Sequence, residues 1–444
     1  MQITIAGAGE VGTHLASKLS NEKHDIFLLE EDKLKVHKIQ EKYDIMTIKG
    51  SPTSLKDLIE AQVKKADLFI AVTPNESQNI TACILAKNLG AKKTVARIDN
   101  YEYLLPENKA FFEKLGINAM FYPELLAAEE IVNSLRMNWV RQWMEFNDGA
   151  LTLIGIKVRA NAPIVNHRLM DLTDSEGYRV VAISRDTQTI IPKGQDLILP
   201  NDICYFITTK EFIPKVREAA GKDVINVRDI MIMGGSRMTV KTVESLPDNM
   251  TVKVLEKDLN KADRLNELLP DGTLVINADA SDTKILQEED IESMDAFVAL
   301  TSNSEANILA CIAAKSLGLQ KTISEVENID YIRFAENLDI GTVINKKLIA
   351  ASAIFQYTLD AAVNKVKGLT HVDAQVVEVT AKLNSDITKG KLKDLKLPHD
   401  IFIGGIVRNG EGHIANGNTE IEPNDNVIVF SLSSSIHKLD RLFN

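Results

Sequence analysis

Hydrophobic and polar positions change period along this chain in a recurring order. Short β-branched runs (ITIAG, DIFLL, IMTI, DLFIAV, KTVARI and NAMF) alternate with amphipathic stretches such as EVGTHLASKLS and SQNITACILAKNLG. Continuous apolar runs mark strands buried on both faces. Their alternation with helical periodicity predicts right-handed βαβ units and a parallel sheet covered on both sides. Further on, short alternating runs broken by Pro, Gly, Asn and Asp, as in LILPNDICYFIT, predict a small β-rich or α+β module. Between the two lies PELLAAEEIVNSLRMNWVRQWMEF, which reads as one long helix with Pro123 in its first turn. Ile131, Leu135, Trp139 and Trp143 recur there at every fourth position. That stripe fits a helix packed on its own sheet. It equally fits one packed on another subunit, because Trp is favoured in interface cores.

The whole pattern occurs twice. DLFIAVTPNESQNITACILAKNLGAKKT begins at Asp67 and DAFVALTSNSEANILACIAAKSLGLQKT at Asp295, an offset of 228. VVAISRDTQTIIPKGQDLILPND begins at Val180 and IGGIVRNGEGHIANGNTEIEPND at Ile403, an offset of 223. The difference falls in the loop LPENKAFFEKL, shortened to RFAENL in the second half. One unit is therefore written twice. The expected organisation is a first parallel-sheet domain over 1–122, a connecting helix over 123–146 and a small module over 147–222. The second set follows at 228–345, 346–368 and 369–444. The repeated turns Pro200-Asn201-Asp202 and Pro423-Asn424-Asp425 are accounted for as turns before a strand.

Composition narrows the class. The net charge of -11 argues against a nucleic-acid partner and against docking on anionic lipid by charge alone. No apolar run approaches the roughly 20 residues of a membrane helix, and MQITIAGAG has no signal-peptide layout. Cys83, Cys204 and Cys311 form neither metal spacing nor an even disulfide set. The expected setting is cytoplasmic and reducing.

Candidate chemistry begins at Gly7, Gly9 and Gly12, which form GAGEVG between a strand and a helix. The first glycine permits the turn, the second lets the backbone approach a pyrophosphate, and the third lets helix and strand pack closely. The helix N-terminus adds free N–H groups and the positive end of its dipole. Glu30 ends the second strand 18 residues past Gly12, near the spacing of an acid on ribose hydroxyls. Glu30, Glu31 and Asp32 together disfavour a 2′-phosphate, which points to NAD or another adenosine nucleotide. The loops at the other strand ends, with Gly50 and Ser51, with Thr73, Pro74 and Asn75, and with Arg97, are expected to complete the site. Arg97 reads as the phosphate partner, or else as a surface arginine at a strand end.

The second copy keeps part of this. Gly234 and Gly235 stand for Gly7 and Ala8, while Ser236, Arg237 and Thr239 stand for Gly9, Glu10 and Gly12. Glu256, Asp279, Ala280 and Thr301 hold the loop positions, but Glu325 replaces Arg97. A carboxylate there repels phosphate, and Thr239 is expected to spoil close helix packing. Arg237 is a compensating cation. The second site reads as weakened or altered. As for catalysis, the eight histidines (His14, His24, His37, His167, His371, His399, His413, His437) do not repeat between copies. No metalloprotease, nucleophile-elbow or P-loop pattern occurs. Cys83 and Cys311 occupy matching helix positions and read as packing residues.

The GAGxVG start, the acidic end of strand two, the VT-x-x-E/N-x-x-N helix entry, the ARI strand and a module ending in E-x-x-D-x-V-x-V/F resemble RCK (regulator of potassium conductance) units. Two in tandem, over essentially the whole chain, are similar to the peripheral subunits of Trk-type potassium uptake systems. The resemblance implies Rossmann-like domains, each followed by a small α+β domain. It also implies a non-enzymatic cytoplasmic regulator at the inner face of the membrane, bound there only through its channel partner. NAD(H), ATP and ADP are the implied ligands, and four chains in a ring the implied assembly, with the connecting helices pairing units. By motif position it carries Gly7, Ala8, Gly9, Glu10, Val11, Gly12, Glu30, Ser51, Pro52, Thr73, Pro74 and Arg97 as nucleotide contacts. In the second copy it carries Gly234, Gly235, Ser236, Arg237, Met238, Glu256, Asp279, Ala280 and Thr301. An NAD-dependent oxidoreductase and a regulator of another cation transporter or antiporter remain the alternatives.

Overall fold

Six continuous apolar runs in each copy become six parallel strands. The computed structural model describes residues 1–21, 24–43, 45–172, 177–186, 188–223, 226–358, 363–369, 374–432, 435–436 and 438–443. The chain divides into two compact units, 1–126 with 346–358, and 127–345 with 359–444.

In the first unit, β1 (Gln2–Ala6), β2 (Asp25–Glu30), β3 (Met46–Lys49), β4 (Leu68–Ala71), β5 (Lys93–Arg97) and β6 (Ala119–Phe121) pair in the order β3-β2-β1-β4-β5-β6. This is the doubly wound nucleotide-binding order, with its switch point between β1 and β4. Ile3, Ile5, Leu28, Phe69, Ile70 and Val95 are fully buried, as strands covered on both faces require. The helix Glu10–Asn21 follows β1, and the helix Lys346–Phe355, contributed by the second copy, packs against it. There the Lys18 ammonium lies 4.9 Å from the centre of the Phe355 ring.

The second unit holds three sheets. The first small module pairs β7 (Gln142–Phe146), β8 (Leu151–Lys157), β9 (Tyr178–Arg185), β10 (Gln188–Ile190) and β11 (Ile203–Thr208) as β10-β9-β11-β8-β7. The second parallel sheet, β12 (Asp229–Met233), β13 (Thr251–Glu256), β14 (Leu274–Asn277), β15 (Ala296–Ala299), β16 (Lys321–Glu325) and β17 (Thr342–Ile344), repeats the first order. The second small module contains β18 (Val363–Gly368), β19 (Ala374–Thr380), β20 (Ile401–Arg408), β21 (Glu411–Ile414) and β22 (Asn426–Leu432). One buried cluster joins the two small modules: Leu153, Val181, Tyr205 and Ile207 pack with Val376, Val407, Ile428 and Phe430.

Three expectations change. The segment 123–146 is not one helix. The helix Pro123–Arg136 ends ten residues early, and β7 starts at Gln142. QWMEF lacks a clean two-residue alternation and its Trp143 extends the four-residue spacing, but pairing with β8 decides in favour of the strand. Trp143 then packs into the core of the small module with Ile154 and Phe206, and Trp139 lies partly buried against the same core, so the stripe is not one helix face. The helical part of 346–368 likewise stops at Phe355, with a 3-10 turn to Thr358 before β18.

The repeated Asn-Asp turns also do more than turn. Asn201 and Asn424 adopt left-handed φ of 71° and 73°. The following Asp202 and Asp425 are buried, and Arg185 and Arg408 bind them in matching forks, with Nε donating at 2.9 Å and Nη2 at 2.7 Å in both. Among the described residues no helix is long and apolar enough to cross a membrane.

Candidate nucleotide-binding site

The strand ends of the first sheet converge through a short set of hydrogen bonds. Gly7 turns with φ 105°, and a Cβ there would sit 2.9 Å from the Thr73 nitrogen, so only glycine lets the first loop meet the loop after β4. A Cβ on Gly12 would lie 1.9 Å from the Gly7 carbonyl oxygen. Gly9 differs: a Cβ there would meet nothing within 4 Å, so its backbone faces open space. This is the division of labour expected of a pyrophosphate loop. Ala8 is buried behind it, Val11 is half-buried and Glu10 is exposed.

Glu30 clamps the loop from the end of β2. One carboxylate oxygen accepts from the Ala8 N–H at 2.6 Å and the other from the Asp32 N–H at 3.0 Å. The Glu30 carbonyl accepts from the Gly50 N–H at 3.0 Å, bringing the β3 loop alongside. In that loop Ser51 donates its N–H to Asp57 at 2.8 Å, and Pro52 is buried. Thr73 is buried, and Pro74 next to it is exposed.

Asn79, fully buried on the helix Glu76–Leu89, ties the remaining strand ends together. Its side-chain oxygen accepts from the Thr73 N–H at 2.9 Å and hydroxyl at 2.7 Å, and its amide donates to the carbonyls of Thr73 and Arg97, both at 3.0 Å. Sequence reasoning gave Asn79 no role of its own. The available signal was its identity with Asn307 in the repeat.

Arg97 ends β5, and its Nη2 lies 3.4 Å from Glu124 and 3.6 Å from Asp99. Its Nε and the second oxygen of Glu124 are buried without a hydrogen-bond partner. Glu124 opens the helix Pro123–Arg136, and Lys347 holds the matching position in the helix Lys346–Phe355. Lys347 is buried and pairs with Glu10 of the glycine loop at 2.6 Å. One cation, Lys347, thus meets the loop at Glu10, a second, Arg97, ends β5, and each is held by a carboxylate. Lys347, which comes from the other copy, was not foreseen from sequence.

The second copy gathers its residues in the same way. The Gly235 N–H donates to Glu256 at 2.6 Å, and Asn307 binds the Thr301 hydroxyl at 2.6 Å and the Glu325 carbonyl at 2.9 Å. Gly234, Gly235, Ser236, Glu256, Asp279, Ala280 and Thr301 line one cleft of about 240 Å³, with Lys257 and Lys261 in its wall. Met238 is buried and Arg237 exposed on the helix Arg237–Ser245. Thr239 does not spoil the helix start. It is fully buried, its hydroxyl donates to the Gly234 carbonyl at 2.5 Å, and with Ser236 it forms a capping box. Glu325 is buried at the position of Arg97.

The nucleophile question has a physical answer for the cysteines. Cys83, Cys204 and Cys311 are buried. Burial pushes the first two thiols well above their usual range and Cys311 up to about 12. Such thiols stay protonated and serve as packing groups. His371 and His437 lie outside the described residues.

The TrkA-N domain model matches residues 3–123 and 230–346, and the TrkA-C domain model matches 153–221 and 376–444. The chain is 32% identical to the Trk system potassium uptake protein TrkA of Haemophilus influenzae, covering 100% of this chain and 98% of that one. It is 29% identical to the TrkA homolog of Archaeoglobus fulgidus, with both chains covered fully. The solved structure of the GsuK channel bound to NAD shares the fold at a TM-score of 0.62 and 14% identity, over 100% of this chain and 78% of that one. With both parallel-sheet domains and both small modules matched in order, the chain belongs to the TrkA family of Trk-system potassium uptake proteins.

Proposed function

We propose that the chain is a nucleotide-sensing regulatory subunit of a potassium uptake system. On this reading it binds NAD(H), ATP and ADP at the Gly7–Gly12 loop and gates a membrane channel of the Trk type from the cytoplasmic face. It acts as a binding module rather than a catalyst and assembles as a homo-oligomeric ring of four chains. The observation that carries the reading is the open backbone at Gly9, clamped by Glu30, with Lys347 paired to the loop and Arg97 at the end of β5. A glycine-lined helix start with a cation paired to it and a second at another strand end of the same sheet fits a pyrophosphate. The carboxylate of Glu30, one strand away, fits ribose hydroxyls.

The coupling follows from the two ion pairs. Arg97 and Lys347 are held by Glu124 and Glu10, and Glu124 and Lys347 each stand in the first turn of a connecting helix. Phosphate charge at the loop competes for both cations and thereby pulls on both helices. ATP, ADP and NAD(H) carry different phosphate charge, so they bias the helices differently. A ligand shifts a conformational equilibrium only by this kind of differential interaction, commonly about 1–3 kcal/mol. The second cleft, with Glu325 in place of Arg97, takes a supporting part in this reading.

Calorimetric titration of the full chain with NADH, ATP and ADP tests it. One tight site per chain, lost in Gly9→Asp and weakened in Arg97→Glu, is expected. Two equal sites, or unchanged binding in both variants, would contradict the assignment.

A further inference from the structure

A strongly cationic cluster in the second unit centres on Asp339 and shares no residue with either nucleotide cleft. The guanidinium of Arg141 lies 2.6 Å from this carboxylate, Lys157 and Lys315 each 3.7 Å, and Arg159 3.9 Å. Lys222 is close enough to feel all of them except Lys315: burial, with Arg159 and Arg141 beside it, lowers its amine to about 8. Four cations therefore lie within 4 Å of one carboxylate, with Lys222 close to three of them, in a chain whose net charge is -11. Like charges at such spacing repel unless a counter-charge is present.

The cluster is only partly a product of the repeat: Lys315 matches Lys87 and Arg159 matches Lys382, whereas Arg141, Lys157 and Asp339 have no charged counterpart. Lys157 ends β8, whereas Thr380 ends the matching β19. Asp339 follows the cap of the helix Ile329–Asn337, where the first copy has Gly116 after the helix Pro106–Lys114. Gly116 has φ 94° and Asp339 φ 52°, the left-handed region that suits glycine. A carboxylate is thus placed among cations at some backbone cost. Arg141 is mostly buried, while Arg159 remains 66% exposed and gives access from solvent.

We propose that this cluster binds a small anion bearing two or more phosphate groups, held between Arg141, Lys157, Arg159 and Lys222 of the first small module and Lys315 of the second parallel-sheet domain. Cations gathered within 4 Å of a single carboxylate suit a compact anion over an extended nucleic acid or a membrane surface. Asp339 keeps the cations gathered and competes with the ligand for them. The site requires no adenine and stands independently of the nucleotide loop.

Sodium tripolyphosphate, which carries no base, is titrated into the full chain and its Lys157→Ala/Arg159→Ala and Asp339→Asn variants, with sodium chloride at matched ionic strength as the control. Circular dichroism verifies that each variant is folded. Saturable binding is expected for the parent chain, about tenfold weaker or more in the double variant. In Asp339→Asn it is expected to be tighter by about threefold or more. The opposite signs separate a ligand site from a structural hub, since a hub loses function in both variants. A parent response no greater than that to chloride, equal binding in the double variant, or weaker binding in Asp339→Asn would each overturn the proposal. Because the double variant localises the effect, binding at the glycine loop does not imitate it.

Discussion

Lys321 opens β16 with its ammonium in the interior. Nζ donates to the Ser134 hydroxyl at 2.8 Å and the Thr342 hydroxyl at 3.1 Å, and the two hydroxyls lie 2.9 Å from each other. No carboxylate takes part in this group of contacts. Burial, reinforced by Arg141 and Lys315, lowers the amine to about 7. In the unfolded chain a lysine titrates near 10.4. Between these values the unfolded state binds more protons, so stability rises with pH from about 7 toward 10. Below 7 the cost of burying the charge is fully present. One group contributes at most about 1.4 kcal/mol per pH unit, hence roughly 3 kcal/mol between pH 7 and 9. Lys321→Met has similar length and carries no charge, and it leaves Ser134 and Thr342 to pair with each other. Urea unfolding of parent and variant at pH 6, 7, 8 and 9 isolates the contribution as a difference, cancelling the other groups. The variant is expected to be as stable as the parent or more so at pH 6, with the gap closing as pH rises. A parent-minus-variant difference that is flat across pH 7–9, or that falls with pH, would refute the assignment of a neutralised buried amine.

Three further outcomes follow from the first site. Gly12→Ala forces a Cβ to 1.9 Å from the Gly7 carbonyl and should cost about 2–3 kcal/mol along with nucleotide affinity, whereas Gly9→Ala, with open space at its Cβ, should leave thermal stability intact and lower affinity alone. Asn79→Ala removes the clamp between Thr73 and Arg97 and should destabilise the first unit by about 2–3 kcal/mol, measurable as faster hydrogen exchange in the loops after β4 and β5. Glu124→Gln removes the carboxylate that competes for Arg97, so phosphate-bearing nucleotides should bind about tenfold more tightly by calorimetry.

Some of this was legible in the chain and some was not, for definite reasons. Both sets of six strands could be read because strands buried on two faces leave unbroken apolar runs. The glycine loop could be read because each glycine answers a separate steric demand. The helix over 123–146 was overread. QWMEF carries no clean two-residue alternation to mark a strand, so Trp143 reads as one more step of the four-residue spacing until pairing with β8 is seen. The effect of Thr239 was misjudged because a hydroxyl that caps its own helix offsets the bulk that replaces hydrogen. The placement of Lys347 beside Glu10 had no local signal. A repeat shows that two helices correspond, not which copy each packs against. The cluster at Asp339 was equally silent, since its members are scattered from Arg141 to Asp339 and meet only after folding.

Potassium flux decides the central reading most directly. The full chain is reconstituted with the membrane subunit of its uptake system in vesicles, and potassium or rubidium entry is followed while NADH, ATP or ADP is varied. With the parent chain, flux is predicted to change with nucleotide identity and to saturate with concentration. With Gly9→Asp or Arg97→Glu it is predicted to stay constant while the chain remains bound to the vesicles. Flux that responds to nucleotide identically in the parent and both variants would contradict a nucleotide sensor at the first glycine loop.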